Sequence, residues 1–213
     1  MVNVITSLIT GRNRPRGKMD ARYITIHDTG NSRTGADAEA HSKYLQSTRA
    51  RIRNVSWHFT VDDKEIYQHL PLDEHGWHAG DGRNGPGNRK SIGIEICQNR
   101  DGDRRLAELH AAWLVNELLE KEEIFTGNVK QHYNWSGKNC PGILRQGRGW
   151  QNFLELVAGF SENVKNVIVE RGDTLFSLSR LYGVTVTDIL RYNPQVVNPN
   201  LIRVGQILRF PKN

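Results

Sequence analysis

The stretch HYNWSGKNCPG, residues 132–142, sets a histidine and a cysteine eight positions apart in a polar, turn-rich segment. Cys97 and Cys140 are the chain's only cysteines, too few for a framework of disulfides, so each is read as a packed thiol, a metal ligand or a nucleophile. Thiolate and imidazole are the donors from which zinc sites are built, and a catalytic site keeps one coordination position open for water. The loop from His132 to Cys140 is long enough to fold both donors onto one ion. Pro141 restricts Cys140 to extended backbone, and Pro-Gly makes a turn that can fix the direction of the thiol. His27 is the candidate third donor, because it ends the apolar run YITIH and precedes DTGNS, a strand-to-loop junction where layered sheets tend to build sites. Spacing alone leaves the alternative open: a hydrogen-bonded strand-end histidine and a small packed thiol.

In SIGIEIC, alternation puts Ile92, Ile94 and Ile96 on one face and Gly93, Glu95 and Cys97 on the other. A carboxylate inside an apolar strand must be paired or functional, so Glu95 is either half of a salt bridge or a general base whose pKa burial raises. Cys97, on the same face, reads as packing. Lys138, two residues before the thiol, can stabilise a developing oxyanion or simply be a solvated loop lysine. GWHAGDGRNGPGN, residues 76–88, is glycine-rich but lacks the order of a phosphate loop. Trp77, His78 and Trp135 are read as walls and a polar handle at a cleft rim, against the plainer role of core aromatics.

These residues need elements to hold them. RYITIH (22–27), VSWHFTVD (55–62) and SIGIEICQN (91–99) have strand character, and 35–48, 103–121 and 148–158 read as helices, the second opening at Asp103. Strands interleaved with helices imply an α/β or α+β layer fold; the fold class expected is α/β, with a mixed central β-sheet flanked by helices. After Trp150, Phe153, Leu154 and Val157 the helical spacing stops at Gly159. This places a domain over 1–159, a linker over 160–164 and a second domain over 165–213.

A chain of 213 residues, 37% hydrophobic and 24% charged, can bury one medium core and a satellite, and is not compositionally disordered. From 164 onward seven Lys/Arg face three acids, a net of +4 out of +6 for the whole chain. That excess favours polyanions, and nucleic acid, a membrane surface and an anionic wall polymer all qualify. The apolar run near the N-terminus is too short for a signal peptide and nothing approaches a membrane span, so synthesis in the cytoplasm is expected.

In order and approximate spacing, ITIHDTG, SWHFTVDDKEIYQHLP, GWHAGDG, SIGIEICQN and HYNWSGKNCPG resemble the zinc-dependent N-acetylmuramoyl-L-alanine amidases, over about residues 20–157. Within that family the blocks are most similar to the endolysins of phages and prophages of Bacillus-like hosts. The resemblance implies one Zn2+ held by His27, His132 and Cys140, Glu95 as the catalytic carboxylate, and Lys138 assisting the carbonyl oxygen. Some relatives carry a tyrosine just before the HF histidine. Here that position is Trp57, so proton handling is expected to fall on Glu95, with Trp57 and His58 as site walls and Trp77 and His78 lining the muramyl-peptide groove. The implied reaction cuts the amide between N-acetylmuramic acid and L-alanine of the stem peptide.

Residues 167–211 read as strand, helix, helix, strand: Asp173 or Thr174 caps the first helix, Gly183 ends it, and Thr185 caps the second. The same stretch resembles a LysM domain over nearly its whole length. A βααβ module of that kind implies a groove for N-acetylglucosamine-containing glycan at Gly172, Asp173, Thr174, Leu175, Asn200, Leu201 and Ile202. The expected partner is therefore bacterial peptidoglycan, with no nucleic acid, no membrane insertion and a monomeric chain that reaches the wall once the membrane is permeabilised. Two other classes compete: a non-catalytic peptidoglycan-binding protein, and a Cys-His peptidase using Cys97.

Overall fold

The computed structural model describes residues 2–160, 164–193, 196 and 198–211. Six strands form one mixed sheet: β1 (Asn3–Thr6), β2 (Tyr23–Asp28), β3 (Phe59–Val61), β4 (Glu65–Gln68), β5 (Ser91–Ile96) and β6 (Val129–Gln131). Their order is β1-β4-β3-β5-β2-β6, parallel except where β3 and β4 meet. The helices are α1 (Ala38–Gln46), α2 (Thr48–Arg53), α3 (Pro86–Arg89), α4 (Arg104–Lys121), α5 (Tyr133–Ser136) and α6 (Gly149–Ala158).

One face of the sheet is made by the alternating apolar positions. Ile24, Ile26, Phe59, Val61, Ile92, Ile94 and Ile96 are buried with Leu109, Val115 and Leu118 of α4 and Phe153 and Val157 of α6. Asp103 starts α4 by accepting from the Arg105 and Leu106 N–H groups, as an N-cap carboxylate should. The opposite face carries Thr25, His27, Glu95 and Thr60, which the period of two delivers together.

The helix expected over 35–48 begins at Ala38 and gives way to a second helix. Ser47 closes α1 and, with its hydroxyl accepting from Ala50 N–H, opens α2. The strand expected over 55–62 is confined to three residues. β1, β4 and β6 were not anticipated.

A second, small unit has β7 (Val164–Ile168) and β8 (Ile207–Pro211) paired antiparallel, with α7 (Leu175–Tyr182) and α8 (Val186–Tyr192) between them. Thr174 and Thr185 cap the two helices through reciprocal boxes with Ser177 and Asp188. Gly183 ends α7 at φ +67°, a left-handed conformation that glycine adopts at no steric cost. Val167, Val169, Leu175, Leu178, Ile189, Leu208 and Phe210 form its core. Of the expected linker, residues 161–163 lie outside the described residues, and Phe160 is buried in the main core, so the large unit extends past Gly159. Ile207 also reaches that core, and Arg203 pairs with Asp103 at 2.7 Å, resting the small unit against α4.

Candidate metal centre and active-site cleft

β2 and β5 run parallel with His27 opposite Glu95, and Ile26 of β2 is opposite Gln131 of β6. The chain leaves β6 directly into His132, whose N–H donates to Ile26 O at 3.2 Å. The α5 turn then brings Cys140 back, with Tyr133 N–H donating to Cys140 O at 2.9 Å. One ligating atom from each of His27, His132 and Cys140 lies within 4.8 Å of the other two, and all three residues are buried. His27 Nδ1 is 2.9 Å from His132 Nδ1 and 4.0 Å from Cys140 Sγ. Tetrahedral ligation at about 2.0 Å to nitrogen and about 2.3 Å to sulfur sets donors roughly 3.3–3.6 Å apart, so the set fits a zinc-sized ion.

Electrostatics agree with that fit. Burial holds His27 well below its ordinary pKa, reinforced by His78 and His132. Burial likewise brings His132 down to about 4, helped by Lys138 and opposed by the Ala79 carbonyl. Both rings are therefore neutral at pH 7 and offer lone pairs. Burial raises the Cys140 thiol to about 12, and Glu95 adds to the rise, so it keeps its proton until a cation displaces it.

Asp28 anchors the thiol loop. Its N–H points at Cys140 Sγ at 3.4 Å, and its carboxylate takes the Ile143 N–H at 2.8 Å and Arg104 at 2.6 Å.

Glu95 lies beside the donors, Oε1 3.9 Å from His27 Nδ1, while Oε2 is buried without a hydrogen-bond partner. Among the described residues no lysine or arginine pairs with it, which removes the salt-bridge alternative. Burial lifts its pKa to about 8 against the opposing charge of Lys138, with Asp28 adding to the rise. Glu95 and Lys138 face a cleft of about 700 Å3, whose rim also holds Arg33, Arg49 and Arg53 and whose wall includes Trp57.

Trp57 lines the cleft as expected, and His58, Trp77, His78 and Trp135 are placed away from it. Trp57 is 8% exposed, stacked near Tyr44, and its indole N–H is committed to Thr60 at 2.7 Å. His58 does not line the cleft: it is fully buried, with Nε2 at 2.8 Å from Glu74 O and Nδ1 accepting from Gly93 N–H. Trp77 sits edge-on to His75, and His78 stands behind His27. Trp135 donates to Thr25 Oγ1 at 2.9 Å and packs edge-on against Tyr23, bracing the thiol loop. Cys97 is 2% exposed, its thiol driven up by burial, so a nucleophilic role has no access. In the small unit, Leu175 points into the core at 3% exposure, whereas Leu201 is 62% exposed.

The three cleft arginines were not singled out in the sequence. Arg49 and Arg53 were passed over because residues 35–48 were read as one helix, whereas Ser47 ends α1 and caps α2, whose Arg49 and Arg53 line the cleft.

Two neutral imidazoles, a thiol and a carboxyl raised toward neutrality at the ends of parallel strands, with that carboxyl facing a cleft edged by arginines, define a class: a hydrolase built on a mixed α/β sheet. Comparison with known proteins narrows it. Residues 17–143 match the N-acetylmuramoyl-L-alanine amidase family and residues 167–211 the LysM domain. The chain is 49% identical over 210 residues to the N-acetylmuramoyl-L-alanine amidase XlyA of Bacillus subtilis, covering 98% of this chain and 68% of XlyA. It is 51% identical over 146 residues to CwlH of the same organism, covering 68% of this chain and 56% of CwlH. The solved catalytic domain of XlyA superposes with a TM-score of 0.69 at 51% identity, over 73% of this chain and 99% of that one. A mutant endolysin from Bacillus subtilis matches at 0.69 and 52%, over 74% and 99% of the two chains. The chain belongs to the N-acetylmuramoyl-L-alanine amidase family.

Proposed function

We propose that the chain hydrolyses the amide between the lactyl group of N-acetylmuramic acid and L-alanine of the peptidoglycan stem peptide, with one zinc ion held by His27, His132 and Cys140. The observation that carries this is the convergence of those three donors beside Glu95, which itself lines a cleft edged by Lys138 and three arginines. Zinc in such a site polarises a carbonyl and lowers the pKa of water to about 7. Glu95 accepts the proton of the attacking water and returns it to the leaving amine of alanine, a task suited to a carboxyl raised toward neutrality. Lys138 supplies positive charge to the oxygen of the scissile carbonyl as it becomes an oxyanion. Arg33, Arg49 and Arg53 line the cleft for the carboxylates of the stem peptide. Trp57, with its N–H bound to Thr60, forms part of the cleft wall and takes no proton.

The small unit, residues 164–211, binds glycan through the loops at Gly172–Thr174 and Asn200–Ile202, Leu175 contributing only backbone. Tethering keeps the hydrolase at high local concentration on the wall. The chain works as a monomer, is made in the cytoplasm, and acts as an endolysin once the membrane is permeabilised.

The test is release of alanine amino groups from purified walls. Chelation abolishes release and zinc restores it, and Glu95→Ala keeps its zinc while activity falls about 10²–10⁴-fold. Activity indifferent to chelation, or an active Glu95→Ala, overturns the reading. Binding to walls without any release would instead support the non-catalytic class.

A further inference from the structure

His27 turns one ring nitrogen toward the metal donors and the other toward His78. His27 Nε2 lies 3.0 Å from His78 Nδ1, and His78 Nε2 lies 3.3 Å from the carbonyl oxygen of Ser91. A carbonyl accepts and cannot donate, so the single proton of a neutral His78 sits on Nε2. His78 Nδ1 is then a lone pair, and its contact with His27 requires a proton on His27 Nε2. This leaves His27 Nδ1 as the lone pair, aimed at His132 Nδ1 and Cys140 Sγ.

We infer that His78 is a positioning residue of the metal centre: it carries the polarity of the Ser91 carbonyl to His27, locks His27 in its Nδ1-ligating tautomer, and so strengthens zinc binding. The inference rests on the metal site proposed above.

The surrounding chain is built to hold this one ring. A Cβ on Gly93 of β5 would come 2.8 Å from three atoms of the His78 imidazole, so the glycine is the gap that the ring fills. Asn88 Oδ1 accepts from both His78 N–H and Ala79 N–H at 2.8 Å, and its amide nitrogen donates to Gly82 O at 3.0 Å. Asp81 takes the Gly87 N–H at 2.6 Å and the Asn88 N–H at 3.2 Å. The glycine-rich loop that follows no phosphate-loop pattern is thus a clamp for an imidazole. A neutral imidazole also orients His27 without adding a second anion to the one the Cys140 thiolate supplies. The ion keeps more of its positive charge for the substrate than it would behind a carboxylate.

The test compares zinc dissociation constants, by competition with a chromophoric chelator, for the full chain and for His78→Leu and His78→Asn. Asparagine places an amide oxygen near the position of Nδ1 and preserves the acceptor, whereas leucine preserves only bulk. The expected result is about 10–100-fold weaker zinc binding for His78→Leu, the usual cost of losing an outer-shell partner, with most of the loss recovered in His78→Asn. Equal affinities in all three proteins, or equal losses in both variants, overturn the inference. A full chain that binds no zinc overturns the metal site itself. If His78→Leu does not fold, the 15N histidine spectrum of the zinc-loaded full chain decides: a proton on His27 Nε2 supports the assignment, and metal on Nε2 refutes it.

Discussion

Glu95 shows how reactivity and stability oppose each other in a single side chain. Its carboxyl is 14% exposed, and one oxygen has no partner. Its pKa rises from 4.5 in the unfolded chain to about 8 in the fold. Between those values the unfolded chain has released a proton that the folded chain keeps, so stability is lost as pH climbs from 4.5 through 8. In zinc-free protein, Glu95→Gln should therefore raise the unfolding free energy by about 3 kcal/mol at pH 7 and by about 1 kcal/mol or less at pH 5. Urea denaturation at the two pH values, with chelator present, measures this, and an equal gain at both would show that the titration is not the cause. Glu95 was legible in the sequence because an acid interrupts an isoleucine ladder. His58 was misread because adjacency to Trp57 looked like a wall, and only packing reveals that both of its nitrogens are already bound.

Among the elements, parallel pairing of β2 with β5 and β6 converts three distant segments into one site, and Asp28 fastens the thiol loop to it. Its carboxylate is 5% exposed and bridges Arg104 of α4 to the Ile143 N–H. Removing the cation leaves a buried charge without compensation, so Arg104→Ala should destabilise the protein by about 3 kcal/mol. Thermal unfolding checks this, and a change under 1 kcal/mol would mean that solvent screens Asp28. The long helices α4 and α6 and the strands β2 and β5 were visible from periodicity and from the Asp103 cap. β1, β4 and β6 are strands of three or four residues whose pairing depends on neighbours far away in the chain, so no local pattern announces them.

For the molecule as a whole, charge is divided unequally, with +4 of the net +6 after residue 163. Attraction between that unit and an anionic wall is screened by salt, whereas a desolvated amide cleavage step is not. Raising NaCl from 50 to 300 mM should weaken pelleting with walls several-fold and leave kcat for a soluble muramyl peptide at saturation nearly unchanged. Equal sensitivity of both would place the basic residues in the cleft in charge of binding instead.

The order of the chemical blocks, the mixed α/β layering, the residues proposed as metal donors, the odd carboxylate and the two-part division were all set in the sequence. Residue type and period are local properties, and each block carries its own. Which side chains face the cleft was decided only by the tertiary structure. The gap at Gly93 that admits His78 and the burial of His58 and Leu175 each depend on contacts between segments distant in the chain. No spacing within one segment encodes such contacts.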